Sequence, residues 1–443
     1  MALRLLRAII DVRPGEARAL AWSWLYFFSI LSAYYVIRPI RDEIGAAGGI
    51  ENLPWLFTGT LCAMIVVNPP YAALVARLAP IRFISWTYRF FIANLVIFLI
   101  LLETTTGSAN VWTGRVFYVW GAVFNLFIVS VFWGFLADVF TTDQSRRLFG
   151  FIAAGGTIGG IVGSSLTASL VAHLGRSRLL LVSAVLLELA VWSVRRLARI
   201  ARGLRERSAA RMEETVVGGS VLSGFAHAVR SPYLLSLSVY MLLFTILSTF
   251  LYFQQADIAK RAFADRVART AFFANIDLAI NVLTLLVQLG LTGRIIKRLG
   301  VALTLALLPA LSVAGFAVIG LAPTLWPVVV FQVLRRAGNF SVARPTRETC
   351  FTVVPREDKY KAKSFIDTFV YRAGDQVGAW SYAALAFFGL GLGGISLAAV
   401  PICLVWLVNG FWLGRRNEAL ARESAAAGPA SFVDMTRGTP QYR

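Results

Sequence analysis

The chain has 443 residues, of which 58% are hydrophobic and only 15% charged, against about 25% charged in an ordinary soluble domain. That excess of apolar sequence excludes a soluble fold and predicts an all-α polytopic membrane protein. The 43 Lys and Arg outnumber the 23 Asp and Glu to give a formal charge of +20, yet they cluster between apolar runs, which is the pattern of membrane topology and argues against nucleic acid as a partner.

Taken in order, residues 1–18 begin M-A-L-R-L-L-R-A-I-I-D-V-R-P-G-E. They lack a cleavable-signal pattern and read as an amphipathic segment lying on the inner face of the membrane. Apolar runs long enough to span a bilayer, at about 20 residues each, fall near 19–38, 54–76, 83–102, 114–137, 148–172 and 178–197. They make up a first six-helix bundle, 19–198. The stretch 199–231 is rich in arginine, too polar to span, and reads as a cytoplasmic basic linker. Six further runs, near 232–254, 270–293, 300–321, 324–343, 364–388 and 393–414, make a second bundle over 232–414. The remainder, 415–443, is rich in Ala, Gly and Ser and is expected to be a disordered tail.

Orientation follows from the basic residues. The linker, Arg294 with Lys297 and Arg298, and the run from Arg356 to Lys363 belong on one side, the cytoplasmic one. The opposite loops, such as Arg41-Asp42-Glu43 with Glu51, and Asp257 to Arg269, are nearly balanced in charge. Both termini are then cytoplasmic, in a bacterial inner membrane.

The halves are weakly similar. W-G-F-L-A-D-V-F-T-T-D-Q-S-R-R-L-F-G-F-I corresponds in position to R-P-T-R-E-T-C-F-T-V-V-P-R-E-D-K-Y-K-A-K-S-F-I-D. Each has an acidic residue (Asp138, Glu348), a charged loop, a basic cluster and then Phe-Ile opening a helix. Two six-helix halves related by a parallel repeat are the major facilitator pattern, with the cargo site near the midplane between halves. In G-F-I-A-A-G-G-T-I-G-G-I-V-G-S-S, Gly155, Gly159 and Gly163 share one helix face, which suits close helix packing. No strand precedes this stretch, so a phosphate-cradling loop is not indicated. Cys62, Cys350 and Cys403 share no metal-ligand spacing, and His173 and His227 stand alone near span ends. Neither a metal nor a cofactor is expected, and no nucleophile–base set suggests an enzyme.

The chemistry lies in charges inside the spans, which are costly and usually retained for function. Arg372 and Asp375 fall near the middle of the eleventh span, and Arg335 and Arg336 at similar depth in the tenth. Glu188 is central in the sixth, Arg89 lies in the inner part of the third, Asp277 lies in the eighth with Asn275 and Asn281, and Arg38 with Arg41-Asp42 crowns the first. One reading makes them helix-locking ion pairs, Arg372 with Asp375 or Arg335 with Asp277. The other makes Arg38, Arg41, Arg335, Arg336 and Arg372 a cationic lining for an anionic cargo, because a guanidinium binds phosphate or carboxylate through two parallel donors. Asp42, Glu188, Asp277, Asp367 and Asp375 are then candidates for coupling or gating, with protons as the coupling ion.

Three motifs carry a family resemblance: Y-Y-V-I-R-P-I-R-D-E at 34–43, F-W-G-F at 132–135 and K-Y-K-A-K-S-F-I-D at 359–367. They resemble the ATP/ADP translocase family, the nucleotide transporters of plastids and obligate intracellular bacteria, as a divergent member. The resemblance implies a major facilitator-like fold and nucleotide exchange. It also implies functional charges, and here the match is uneven. Arg41-Asp42 fits the basic–Asp pair after the first span. No acid lies between Glu103 and Asp138, where the fourth-span glutamate would be. Gln254 or Gln255 stands where the seventh-span acid is expected, and Asp375 stands at the lysine of the eleventh, with Arg372 one turn earlier.

The expected function is a monomeric secondary transporter working by alternating access on an anionic, phosphorylated, nucleotide-like molecule. A proton-coupled carrier or lipid-type flippase for another cargo is the alternative, and a non-transporting receptor or scaffold is a third.

Overall fold

The computed structural model describes residues 13, 16–77, 80–208, 231–354, 362–363 and 365–434. Most of the expected N-terminal segment, residues 209–230 of the expected linker, Lys359, Lys361 and residues 435–443 lie outside them. The described elements are helical. They are α1 (Ala17–Gly48), α2 (Leu53–Arg77), α3 (Pro80–Thr104), α4 (Gly107–Val139), α5 (Thr142–Ser208), α6 (Pro232–Ala262), α7 (Arg266–Gly290), α8 (Thr292–Leu321), α9 (Leu325–Gly338), α10 (Arg344–Cys350), α11 (Tyr371–Phe387) and α12 (Leu392–Asp434). In apolar surroundings a backbone must satisfy its own polar groups, and a helix does so within one segment, although Pro39 in α1 and Pro309 in α8 each remove one backbone donor.

Nine helical stretches among the described residues are long and apolar enough to cross a membrane. Two breaks are glycine breaks: Gly175 inside α5 has φ 74° and Gly300 inside α8 has φ 72°, a left-handed conformation open to glycine at little cost. The runs expected near 324–343 and 364–388 are not simple helices. The first passes from α9 through a π-helical segment, Asn339–Ala343, into α10, and the second begins with another, Ile366–Val370, before α11. Several segments expected outside the spans are helical. Arg41 to Glu43 belong to α1, residues 199–208 of the expected linker to α5, Asp257 to Arg261 to α6 and Arg294 to Arg298 to α8, and 415–434 continue α12. The last is consistent with the high helix propensity of its Ala, Leu, Glu and Arg residues.

Packing divides the chain into two compact units, 1–214 with 256–285, and 215–255 with 286–443. The expected division at 199–231 follows the sequence alone. Packing instead moves α7 into the first unit, because Arg266, Arg269 and Asp277 on it pair with side chains of α1.

The first unit is built around α1, which packs along both arms of α5. The glycine stripe makes this possible. A Cβ at Gly159 would run into the Phe28 carbonyl and one at Gly163 into that of Ser32. The approach is fastened by hydrogen bonds: Ser32 Oγ donates to the Gly159 carbonyl at 3.0 Å, Ser183 Oγ to that of Ala33 at 3.0 Å, and Thr167 Oγ1 to that of Val36 at 3.3 Å. Below them Phe27 stacks on Phe132 at 4.2 Å, with Trp133 at 5.4 Å. Gly159→Ala is therefore expected to destabilise the protein by about 1–3 kcal/mol through overpacking. Gly150→Ala, whose Cβ has nothing within 4 Å, should instead gain up to about 1 kcal/mol of helix propensity. Thermal melts of the two variants in detergent check the opposite signs.

In the second unit α6 is the central strut. Tyr240 on it donates to the Leu305 carbonyl of α8 at 3.1 Å, and its ring lies 5.3 Å from that of Trp406 on α12. Gly374 and Gly378 on α11 bring that helix against Thr245 and Ile246.

Candidate functional site

Each unit holds its own set of buried charges. In the first, α1 carries four charged residues within six positions, Arg38, Arg41, Asp42 and Glu43, near its end. Arg38 lies 3.4 Å from Asp277 of α7 and 3.6 Å from Asp42. Arg41 donates through Nε to the Tyr118 carbonyl at 3.0 Å, sits 3.9 Å over the Tyr118 ring and lies 3.2 Å from Asp42. The Glu43 carboxylate has no exposed surface and takes three arginines: Arg176, just past the Gly175 break, at 3.0 Å, and Arg266 and Arg269 of α7 at 2.9 and 3.2 Å. One carboxylate surrounded by three guanidiniums leaves this end of the unit with an excess of positive charge.

In the second unit the arrangement is different in kind. Arg335, 2% exposed, donates to Ser248 Oγ at 2.9 Å, the Phe244 carbonyl at 3.0 Å and Ser312 Oγ at 3.3 Å. The rings of Phe244 and Trp406 lie 5.1 and 5.8 Å from it. All its acceptors are neutral, and no carboxylate pairs with it among the described residues. Arg347 on α10 lies beside the same helix, α6. It is buried, donates to the Met241 thioether at 2.8 Å, and its Nε has no partner among the described residues. Met241 and Phe244 are one turn apart on α6, so the two guanidiniums meet successive turns of one helix. The Tyr240 hydroxyl is within electrostatic reach of both. Burying a charge with only neutral partners is expensive, and such groups are usually paired or bind an ion.

The structure sorts the sequence-predicted residues as follows. Arg38, Arg41, Asp42 and Asp277 come together in the first unit. Asp277 pairs with Arg38 rather than with Arg335, because α7 packs against α1. Glu188 stands apart from that group, 2.8 Å from Arg89 on a half-exposed face. Arg336, next to Arg335, is only half-buried. Arg372 and Asp375 pair at 3.2 Å on α11. Asp367, half-buried on the second π segment, is within electrostatic reach of Arg347 and Lys363, and Lys363 pairs with Glu348. At the positions where acids were expected from the resemblance, Gln254 donates to Ser396 at 2.8 Å and Gln255 accepts from Gln332 at 2.6 Å.

Sequence reasoning passed over Glu43, Arg176, Arg266, Arg269 and Arg347. Glu43, Arg266 and Arg269 look like members of balanced loops, Arg176 looks like part of a short basic connection, H-L-G-R-S-R, and Arg347 looks like part of a charged turn, R-P-T-R-E-T. Gly338-Asn339 and Pro345 between Arg335 and Arg347 read as helix stops, so no sequence signal placed Arg347 in the interior. The π segment, which often marks functional positions, carries the helix on and turns Arg347 inward.

Long apolar helices holding ionised side chains in their interiors define a multi-pass membrane protein, with the helical-bundle fold of a transporter. A bacterial homologue of the iron transporter ferroportin, solved in an inward-facing state, matches 90% of this chain and 98% of its own at a TM-score of 0.62 and 13% identity, which supports the fold. Among curated proteins, "ADP,ATP carrier protein 2" of Chlamydia pneumoniae is 22% identical over 71% of this chain and 68% of its own length. "ADP,ATP carrier protein 1" of the same organism is 22% identical over 95% and 96%. Residues 102–416 match the TLC ATP/ADP transporter family. That is well over half of the chain, so the chain belongs to this family: it is a transporter and not an enzyme.

Proposed function

We propose that the chain is a twelve-helix secondary transporter that moves an anionic, phosphorylated, nucleotide-like molecule across a bacterial inner membrane by alternating access, as a monomer with both termini cytoplasmic. The described helices support twelve passes. The stretch Arg147–Ile200 has 54 residues, about 81 Å of helix against a hydrocarbon core of about 30 Å, so it crosses twice, turning at Gly175. The run from α9 to α10, and the second π segment with α11, supply two more.

The observation that carries the cargo class is the buried Arg335 guanidinium, held only by neutral groups, with the buried Arg347 guanidinium against the next turn of α6. A phosphate supplies the missing counter-charge and accepts the fork of donors that a guanidinium offers. Arg38 and Arg41 present the first unit's cations, and Arg336 and Arg372 flank the second unit's pair. Asp42, Asp277, Asp367 and Asp375 are the exchangeable partners of these cations. Each releases its arginine when cargo binds and recaptures it when cargo leaves, whereas Glu188, paired with Arg89 at 2.8 Å, is a gating contact away from the cargo cations. The chlamydial relatives are called ADP,ATP carriers, which favours a nucleotide over a sugar phosphate.

Proteoliposomes loaded with ADP and given labelled ATP test this. Uptake that depends on the internal nucleotide, and that excess unlabelled nucleotide competes away, is the expected result. Uptake of a neutral peptide under a proton gradient, unaffected by phosphorylated compounds, would overturn it.

A further inference from the structure

We propose that the first unit carries a binding site for an anionic glycerophospholipid, separate from the cargo cations. An apolar groove of about 970 Å³ runs along α2, α3 and α4, walled by residues that include Trp55, Gly59, Ala63, Val119 and Trp120. On α2 it extends from Trp55 to Pro70, about 22 Å of helix, comparable to an extended fatty-acyl chain. Its far end closes on Arg115, which is already engaged by Asn52 at 3.1 Å and by the Trp112 ring at 4.7 Å.

At the near end, Trp86 and Phe90 are shared with a second hollow, of about 640 Å³, lined by Arg82, Ser85, Arg89 and Arg195. Only one of its three arginines has a carboxylate among the described residues: Arg89, paired with Glu188 at 2.8 Å. Among the described residues Arg195 donates to Ser85 Oγ, at 3.5 Å, and Arg82 is exposed. An apolar trough that opens into a positively charged hollow fits one kind of ligand, an anionic head joined to a long apolar tail. A free phosphate would fill the hollow and leave the groove empty, whereas a zwitterionic lipid would fill the groove without supplying net negative charge. Exposed Trp86 at the junction suits the membrane interface, where tryptophan is enriched. Basic hollows between membrane helices on the cytoplasmic side are suited to lipid phosphates. In the orientation proposed above, the Arg82 end lies on that side. The site rests on the membrane placement of the chain and not on the identity of the cargo.

Native mass spectrometry on the full chain, released from vesicles of equal phosphatidylglycerol and phosphatidylcholine, tests the site without any variant. Preferential retention of phosphatidylglycerol, not displaced by inorganic phosphate, is expected. Arg82→Gln with Arg195→Gln should weaken retention about 25-fold, at about fivefold for each cation near a lipid phosphate. Gly59→Leu, which fills the groove and leaves the arginines in place, should also abolish it. Equal retention of the two lipids, inorganic phosphate displacing phosphatidylglycerol, retention unchanged in either variant, or a lipid-free dimer in place of the lipid-bound chain would each overturn the proposal.

Discussion

Arg335→Gln is expected to lower transport, measured as kcat/KM in proteoliposomes, by about 100- to 1000-fold. Removing one partner of a buried, hydrogen-bonded charge pair costs about 2–5 kcal/mol, and each 1.4 kcal/mol is tenfold, so this loss lies in the middle of that range. The geometry makes Arg335 the position where such a loss should be largest. The side chain is 2% exposed, its three acceptors are two serine hydroxyls and one carbonyl, and two aromatic rings close over it. With no carboxylate beside it among the described residues, its charge is the one that the proposed anionic cargo would answer. The competing view is that Arg335 merely ties α9 to α6 and α8. The two views differ in what the variant does to binding. A structural tie predicts a lower melting temperature with nucleotide affinity intact. A cargo cation predicts that nucleotide no longer raises the melting temperature at all. Arg335→Lys adds a graded case, because it keeps the charge but loses the planar fork. It should bind more weakly than the native chain and more strongly than Arg335→Gln. Unchanged nucleotide affinity in Arg335→Gln would remove this residue from the cargo site.

The second large effect belongs to Glu43→Gln. Glutamine keeps the shape of the side chain but leaves Arg176, Arg266 and Arg269 facing one another without the carboxylate that all three now share. Breaking a buried ion pair in this way costs about 3–5 kcal/mol, because the remaining charge stays buried and unanswered. The expected result is a large drop in melting temperature. The change should be asymmetric. Removing one arginine leaves the carboxylate two partners, and Arg266, 41% exposed, is the least costly of the three to lose. Glu423→Gln is the control, since its pair with Arg416 is exposed on both sides and such pairs contribute about 1 kcal/mol or less. Equal shifts in Glu43→Gln and Glu423→Gln would show that the cluster on α1 carries no special energy.

Much of the fold was legible in the sequence. A membrane-spanning helix is written along the chain as an apolar run of the right length, so its existence needs no knowledge of neighbours. The glycine spacing from Gly155 to Gly163 was legible for a similar reason, since positions four apart share a face of a helix. The ends of helices were less so. Arg41 to Glu43 and Asp257 to Arg261 look like loop on charge alone, yet they are helical: Glu43 meets Arg176 at 3.0 Å across the unit, and Arg261 meets Asp257 at 3.1 Å one turn away on the same helix.

The site divides along the same line. Composition and pattern determined that this is a polytopic membrane protein with arginines inside its spans. The motifs at 34–43 and 359–367 pointed to the family to which the chain belongs. Which arginine is paired was decided only by the tertiary structure. Arg335 and Arg336 are neighbours in sequence but about 100° apart around the helix, and the packing of α6 and α12 buries only the first. Asp277 could have met Arg335 or Arg38, and the placement of α7 against α1 chose Arg38. Arg347 needed the π segment to carry its helix inward. Apolar character is a property of each residue and survives as a one-dimensional signal. Pairing is a property of two residues brought together, and the chain states it only once it has folded.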